Sequence, residues 1–264
     1  MKYTEKDHTF AICAYKESPY LEACIDSLIN QTKKSKIIIC TSTPNDFIKR
    51  TAEKYGIELF VREGKSGLSQ DWNYAAGCTK TALYTLCHQD DYYFETYAEK
   101  IISCANRHPH PIIIYTGYAE DKNGKLERTN MNLKIKDIMN CPMKFERMQR
   151  SVWVRRRILS LGNPICCPSV SFCKEEMGKE VFDPHFKNAA DWDMWERLSK
   201  RKGSFVYCPE TLMAHRVHEG STTTQNIANN IRKTEDLILF KRFWPDILAR
   251  GIAKVFSLSE KNNG

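Results

Sequence analysis

The sequence has no run of eighteen apolar residues, so nothing in it reads as a membrane-spanning helix. The start, Met1-Lys2-Tyr3-Thr4-Glu5-Lys6-Asp7-His8, lacks the apolar stretch of a signal peptide, and a cytoplasmic location is expected. No Cys-x-x-Cys pair occurs. The 11 cysteines lie mostly inside apolar runs (Cys13, Cys24, Cys40, Cys87, Cys104), which predicts reduced core thiols rather than zinc ligands or disulfides. Zinc-finger spacing, RNA-recognition signatures and basic amphipathic repeats are also missing, which argues against nucleic acid as a partner. Gly64-Lys65-Ser66 invites a phosphate-loop reading but fails on spacing, because Leu59 stands where the first glycine belongs. What remains there is a basic turn at a helix start, able to offer N–H groups and Lys65 to a phosphate, or simply a solvated loop.

What is present suffices for a large core: 264 residues, 42% of them hydrophobic. The formal charge of +8 suits an anionic partner such as a nucleotide, a lipid phosphate or an acidic membrane surface. With neither an internal repeat nor a low-complexity linker, the whole of 1–264 is expected to form a single domain. Within it we distinguish a subregion 1–117, a second over 118–220 and a helical tail over 221–264.

Strands and helices alternate in the first subregion. Thr9–Tyr15 reads as a strand; Leu21, Cys24, Ile25, Leu28 and Ile29 recur at helical spacing after Ser18-Pro19. Ile37–Cys40 and Ile57–Val61 read as strands around a helix that ends at Gly56, and a helix is expected over Ser69–Cys78. Thr81–Cys87 is a fourth strand, Phe94–Cys104 a helix and Ile112–Tyr118 a fifth strand. Such alternation predicts a parallel, doubly wound sheet of the nucleotide-binding type. Beyond Asp121-Lys122-Asn123-Gly124, the chain from Leu126 to Leu161 is basic around Trp153. That stretch reads as a solvated face, an acceptor-facing segment or a peripheral membrane contact. Strands are expected at Pro164–Cys173, Phe205–Cys208 and Leu212–Val217, and a helix at Asp191–Lys200.

The fourth strand leads into Leu86-Cys87-His88-Gln89-Asp90-Asp91-Tyr92-Tyr93. Two adjacent carboxylates at the C-terminal end of a parallel strand repel each other and stand where open α/β sheets bind ligands. A hard divalent cation, Mg²⁺ or Mn²⁺, would relieve that repulsion with substrate phosphates completing its shell. The plain alternative is a solvated turn with a capping Asp.

Four further stretches fall in order with this one. Phe10–Tyr15 with Glu17-Ser18-Pro19-Tyr20-Leu21 and Ser27-Leu28-Ile29-Asn30-Gln31-Thr32 resembles the opening of family 2 glycosyltransferases, inverting enzymes of GT-A fold. Gly67-Leu68-Ser69-Gln70-Asp71-Trp72-Asn73 is similar to the family's glycine turn, and His88-Gln89-Asp90-Asp91 resembles its metal motif. The run Asn188–Leu198 resembles its acidic catalytic helix, and His215-Arg216-Val217-His218-Glu219-Gly220-Ser221 its C-terminal histidine motif. The resemblance spans about 220 residues. It implies a GT-A fold, a doubly wound mixed central sheet flanked by helices.

It also implies a sugar transferred from a nucleotide-diphosphate donor to a hydroxyl of a glycan or lipid-linked acceptor. On this reading 1–117 binds the donor and 118–220 faces the acceptor. Asp191 is then the general base, and Mn²⁺ or Mg²⁺ sits on Asp91 and His218, with His215 the second choice. Donor contacts fall to Ala14, Tyr15, Glu17, Thr41, Ser42, Lys65, Gly67, Asn73, Gln89 and Asp90. A helix N-terminus should keep Asp191 ionised at neutral pH, its alternative role being a plain N-cap. The chain departs from the family after the second strand, where Thr41-Ser42-Thr43-Pro44 replaces the usual Asp-Asp-Gly-Ser, so uracil is not implied as the donor base. Two other readings compete: a nucleotidyltransferase, and a binding module for a sugar nucleotide or anionic polymer without catalysis.

Overall fold

The computed structural model describes residues 2–179, 181–218 and 231–261. Four strands open the chain: β1 (His8–Ala14), β2 (Lys36–Thr41), β3 (Glu58–Val61) and β4 (Leu83–His88). They pair in parallel in the order β3-β2-β1-β4, joined by the helices α1 (Leu21–Ile29), α2 (Asp46–Tyr55) and α3 (Leu68–Cys78). β1 and β4 are buried along almost their whole length because both faces of the sheet are covered there. Phe10 and Ile12 pack with α1 and α2 on one face, while Ala11 packs with Trp72 and Ala75 of α3 on the other. Gly56 closes α2 in the left-handed conformation at φ 62°, which glycine adopts without a Cβ clash.

The second half adds strands of both directions. After β5 (Tyr92–Tyr93) and α4 (Tyr97–Arg107) come β6 (Pro111–Lys122), β7 (Lys125–Glu127), β8 (Val170–Cys173) and β9 (Ser204–Val217). β8 lies antiparallel between β4 and β6, β9 runs parallel to β6, and β5 pairs antiparallel with the far end of β9. The sheet is therefore mixed, with helices on both faces. Between β7 and β8 lie α5 (Met131–Asn140), α6 (Glu146–Gln149) and α7 (Val152–Leu159); after β8 come α8 (Lys174–Met177) and α9 (Ala190–Leu198). Past the histidine motif the described chain holds α10 (Ile231–Lys241) and α11 (Asp246–Lys261). No helix among the described residues is long and apolar enough to cross a membrane. Glu219, Gly220 and Ser221 of the histidine motif, and the start of the tail to residue 230, lie outside the described residues.

Several sequence expectations are corrected. Phe205–Cys208 and Leu212–Val217 are one strand, β9, carried past Pro209 by irregular pairing at Gly117. A Cβ on Gly117 would come within 3.1 Å of the Pro209 and Glu210 carbonyl oxygens, so the bulge needs glycine there. The strand expected at Pro164–Cys173 shortens to β8, because Cys167–Ser169 forms a 3-10 turn instead. Cys104 of α4 and Cys208 of β9 are brought side by side, their Cα atoms 7.0 Å apart. The basic segment is not uniformly solvated either. Arg155 is buried, its guanidinium donating to the carbonyls of Ser199, Arg201 and Gly203, and burial lowers its pKa to about 10.

Candidate active site

The Asp-Asp stretch sits where parallel β4 ends and antiparallel β5 begins. Pairing of β5 with β9 sets Tyr92 opposite Ala214, which brings His215 and Arg216 against the two carboxylates. Asp91 is fully buried. Its Oδ1 accepts the Arg216 backbone N–H at 2.9 Å and stands 3.0 Å from His215 Nδ1. Burial works against the Asp91 charge, but the His215 and His88 rings and the Arg216 N–H outweigh it and hold its pKa below the usual value. His215 responds in the opposite sense. Burial pulls it down, yet the Asp91 carboxylate leaves its pKa raised.

Among the described residues, neither Asp91 Oδ2 nor His88 Nε2 has a hydrogen-bond partner. His88 Nδ1 is 3.7 Å from that oxygen, and the ring stacks on Trp72 at 5.3 Å between centroids. Burial lowers the His88 pKa and favours the neutral ring. Asp90 accepts the Ser18 hydroxyl at 2.7 Å on Oδ1 and stands 3.2 Å from His218 Nε2 on Oδ2. Arg216 binds the Asp90 carbonyl at 2.6 Å and lays its guanidinium over the Tyr20 and Tyr92 rings.

This set fits a hard divalent ion. A buried unpartnered carboxylate oxygen costs on the order of 1–3 kcal/mol unless something satisfies it. Mg²⁺ and Mn²⁺ are held by one or two carboxylates with substrate phosphates as the other ligands, which suits Asp91 Oδ2 beside Asp90 and His218. No three-residue ligand cluster occurs among the described residues, so an ion bound there would take most of its shell from outside the protein.

Asp191 stands near the N-terminus of α9, a helix without a side-chain cap of its own. The loop ahead of it is held from α10. Glu235 accepts the backbone N–H groups of Lys187, Asn188 and Ala189 at 2.7–2.9 Å. Asn163, just after α7, donates to Asp191 Oδ2 at 2.8 Å, and the Trp192 N–H donates to Oδ1 at 2.7 Å. The helix start does not decide this carboxyl's pKa. Burial raises it, and the Trp192 and Asn163 hydrogen bonds only moderate the shift, which reverses the direction expected from the helix dipole alone. Asp193, two positions on, is tied to Arg197 and Arg242. The charges of Asp91 and Asp191 both act on the Cys166 thiol, as do Lys136 and Glu120.

Sequence-chosen donor residues divide into two groups. Gln89 grips the backbone of Tyr15, accepting its N–H at 3.0 Å and donating to its carbonyl at 2.8 Å, so β1 and β4 end together beyond buried Ala14. The Lys16 N–H donates to Thr43, the Thr43 N–H to Thr41, and the Ser42 hydroxyl to Asp71 at 2.9 Å. Gly67 begins α3 with its N–H on the same carboxylate. Asn73 is not brought into the site: its amide is used in both directions by the Phe182 backbone. Glu17 and Lys65 are exposed, with no side-chain hydrogen bond among the described residues.

The sequence reading missed Asn163, which holds Asp191, and three further residues. Asp71, tied to Arg62 at 2.9 Å, joins the loops after β2 and β3. Arg216 binds the Asp-Asp turn. Lys136 reaches the Tyr118 hydroxyl at 2.7 Å and carries a raised pKa, burial being outweighed by Tyr118, Cys166 and Glu120. Only Asp71 and Arg216 lie inside motifs the sequence displayed; Lys136 has no local signal.

Comparison with known proteins bears on the family and the fold. Residues 9–177 match the family model for glycosyl transferase family 2, and the chain belongs to that family. An uncharacterized glycosyltransferase of Haemophilus influenzae is 22% identical over 222 residues, covering 81% of this chain and 66% of its own length. Among solved structures, Staphylococcus aureus TarS superposes with a TM-score of 0.60 at 11% identity, over 93% of this chain but 42% of TarS. Its 1–349 fragment in complex with UDP-GlcNAc gives 0.62 at 12% identity, over 94% of this chain and 70% of that one. The mannosyltransferase PcManGT of Pyrobaculum calidifontis, in complex with GDP-Man and Mn²⁺, gives 0.64 at 12%, over 96% and 70%. The fold is thus GT-A, a mixed sheet flanked by helices, and the chain spans between 42% and 70% of the length of the relatives it matches.

Proposed function

We propose that this protein transfers a sugar from a nucleoside-diphosphate donor to an acceptor hydroxyl, with inversion at the anomeric carbon. The observation that carries the reading is the buried Asp91, whose Oδ2 has no hydrogen-bond partner among the described residues, next in sequence to Asp90 and contacted by His88 and His215, together with a second buried carboxyl at Asp191. The donor lies over the C-terminal ends of β1, β2 and β4, where open α/β sheets take ligands. Its base is read by the Thr41–Thr43 turn and the Asp71–Arg62 pair, which replace the family's acidic stretch after the second strand.

Asp91 and His218, with Asp90 beside them, would hold Mn²⁺ or Mg²⁺; bound there, the ion supplies Lewis-acid stabilisation of charge growing on the diphosphate. Arg216 and His215 fix the orientation of Asp91. Asp191 takes the proton of the acceptor hydroxyl, whose oxygen forms the new bond to the anomeric carbon as the bond to the diphosphate oxygen breaks. A raised carboxyl pKa makes it a better proton acceptor than an ordinary surface carboxylate. Asn163 and the Trp192 N–H keep it aimed. The acceptor proposed is a glycan or lipid-linked precursor, met on the side of Asn163 and Lys136.

The test is Asp191→Asn. Donor binding should be retained while turnover falls by about 10²–10⁴, the usual contribution of a general base. A binding module without catalysis would show no turnover to lose.

A further inference from the structure

One continuous segment carries a net formal charge almost equal to that of the whole chain. Between Arg128 and Leu161 there are nine Lys or Arg against Asp137 and Glu146, a net +7 within a chain of +8. α5 packs on the 3-10 turn Cys141–Lys144, that turn on α6, and α6 on α7, so the segment is spatially continuous. Its inner side is spent: Leu133, Met143, Gln149, Arg155 and Leu159 are buried. Its outer side is unusual. Met131, Ile135 and Ile138, at i, i+4 and i+7 on α5, are exposed, and so are Phe145, Met148 and Trp153. Ile138, Phe145 and Trp153 keep 73%, 65% and 69% of their surface. Interleaved with them are Lys134, Lys144, Arg147 and Arg150, all exposed and none paired with a carboxylate among the described residues.

We propose that this face docks on an anionic lipid surface. Large apolar side chains alternating with unpaired cations are what an interfacial segment needs, the former entering the headgroup boundary and the latter meeting lipid phosphates. A second copy of the chain is a poor occupant, because a twofold contact would set these unpaired cations against one another. Nucleic acid would answer the charge but leave the aliphatic Met131, Ile135 and Ile138 without an apolar partner. The docked face adjoins the proposed base: the Trp192 indole donates to the Leu159 carbonyl at the end of α7, and Asn163 beyond it holds Asp191. Delivery of a lipid-anchored acceptor to Asp191 rests on the transferase reading; the docking itself does not.

Flotation of the full chain with phosphatidylcholine vesicles, alone or containing phosphatidylglycerol, tests it. Binding is expected only to the anionic vesicles and should weaken with salt. Each cation removed should weaken it about fivefold, so Arg147→Glu with Arg150→Glu should cut it by more than tenfold. Ile138→Ser with Phe145→Ser should also reduce it, and Trp153 fluorescence should shift to the blue on binding. These side chains are exposed, and an unchanged nucleotide-dependent thermal shift in each variant separates loss of docking from loss of the donor site. The proposal is overturned if neither vesicle binds, if neutral vesicles bind equally, or if the variants bind as the parent does. Preferential binding of an RNA oligonucleotide through these residues, or a dimer that they abolish, overturns it equally.

Discussion

At the scale of single residues, the site depends on carboxylates that the fold treats in opposite ways. Asp91 is held charged by His215, His88 and the Arg216 N–H, whereas burial raises Asp191. A raised folded pKa means that ionised Asp191 costs stability above that pKa. Asp191→Asn should therefore remove turnover without lowering the melting temperature, which a thermal melt at neutral pH checks. The acid limb of the parent's rate should lie above the ordinary carboxylate range, with activity lost as pH falls through it. His8 predicts a second pH effect. Buried between Ser35 and Thr85, it has its pKa lowered from 6.5 to about 3, so the folded protein keeps the ring neutral. Its contribution is complete above pH 6.5 and falls by about 1.4 kcal/mol per pH unit below it. Denaturant melts at pH 7 and pH 5 should differ by about 2 kcal/mol from this group, and His8→Asn should shrink that difference. The motif acids Asp90, Asp91 and Asp191 were legible in sequence because chain order alone displays them. Lys136 and Asn163 were not, since each reaches the site only through packing of distant segments.

At the scale of elements, the loop before α9 shows how the start of that helix is held. Glu235 on α10 satisfies three backbone N–H groups that α9 cannot satisfy for itself. Glu235→Ala leaves those donors buried or poorly solvated and should cost about 3 kcal/mol in a denaturant melt. Asp191 would lose its fixed approach as well. Turnover should fall while nucleotide binding, held on β1, β2 and β4, stays near the parent value. The parallel strands and first three helices were legible from periodicity and the Gly56 stop, because local pattern and burial agree there. β9 was not. Pro209 looks like a strand end, and only the glycine opposite it in β6 reveals that the ladder continues through a bulge.

At the scale of the whole molecule, the mixed sheet brings two halves of the chain to one place. The parallel half ends at the Asp-Asp turn, and β9, arriving beside β6, returns His215, Arg216 and His218 to it across more than a hundred residues. That closure was expected only from motif order; its geometry, with histidines paired to carboxylates, depends on the β5–β9 register. The basic face of α5–α7 lies on the Asp191 side, so the proposed docking through it would orient the molecule relative to a lipid surface. The central claim is that a nucleoside diphosphate and a divalent ion share Asp91. A thermal-shift series with UDP, GDP, CDP and dTDP, each with and without Mn²⁺, tests it on the parent and on Asp91→Ala. The account predicts that one nucleotide raises the melting temperature only with Mn²⁺, and that Asp91→Ala abolishes the rise. Stabilisation by none of them, or an Mn²⁺-dependent rise that survives Asp91→Ala, would contradict it.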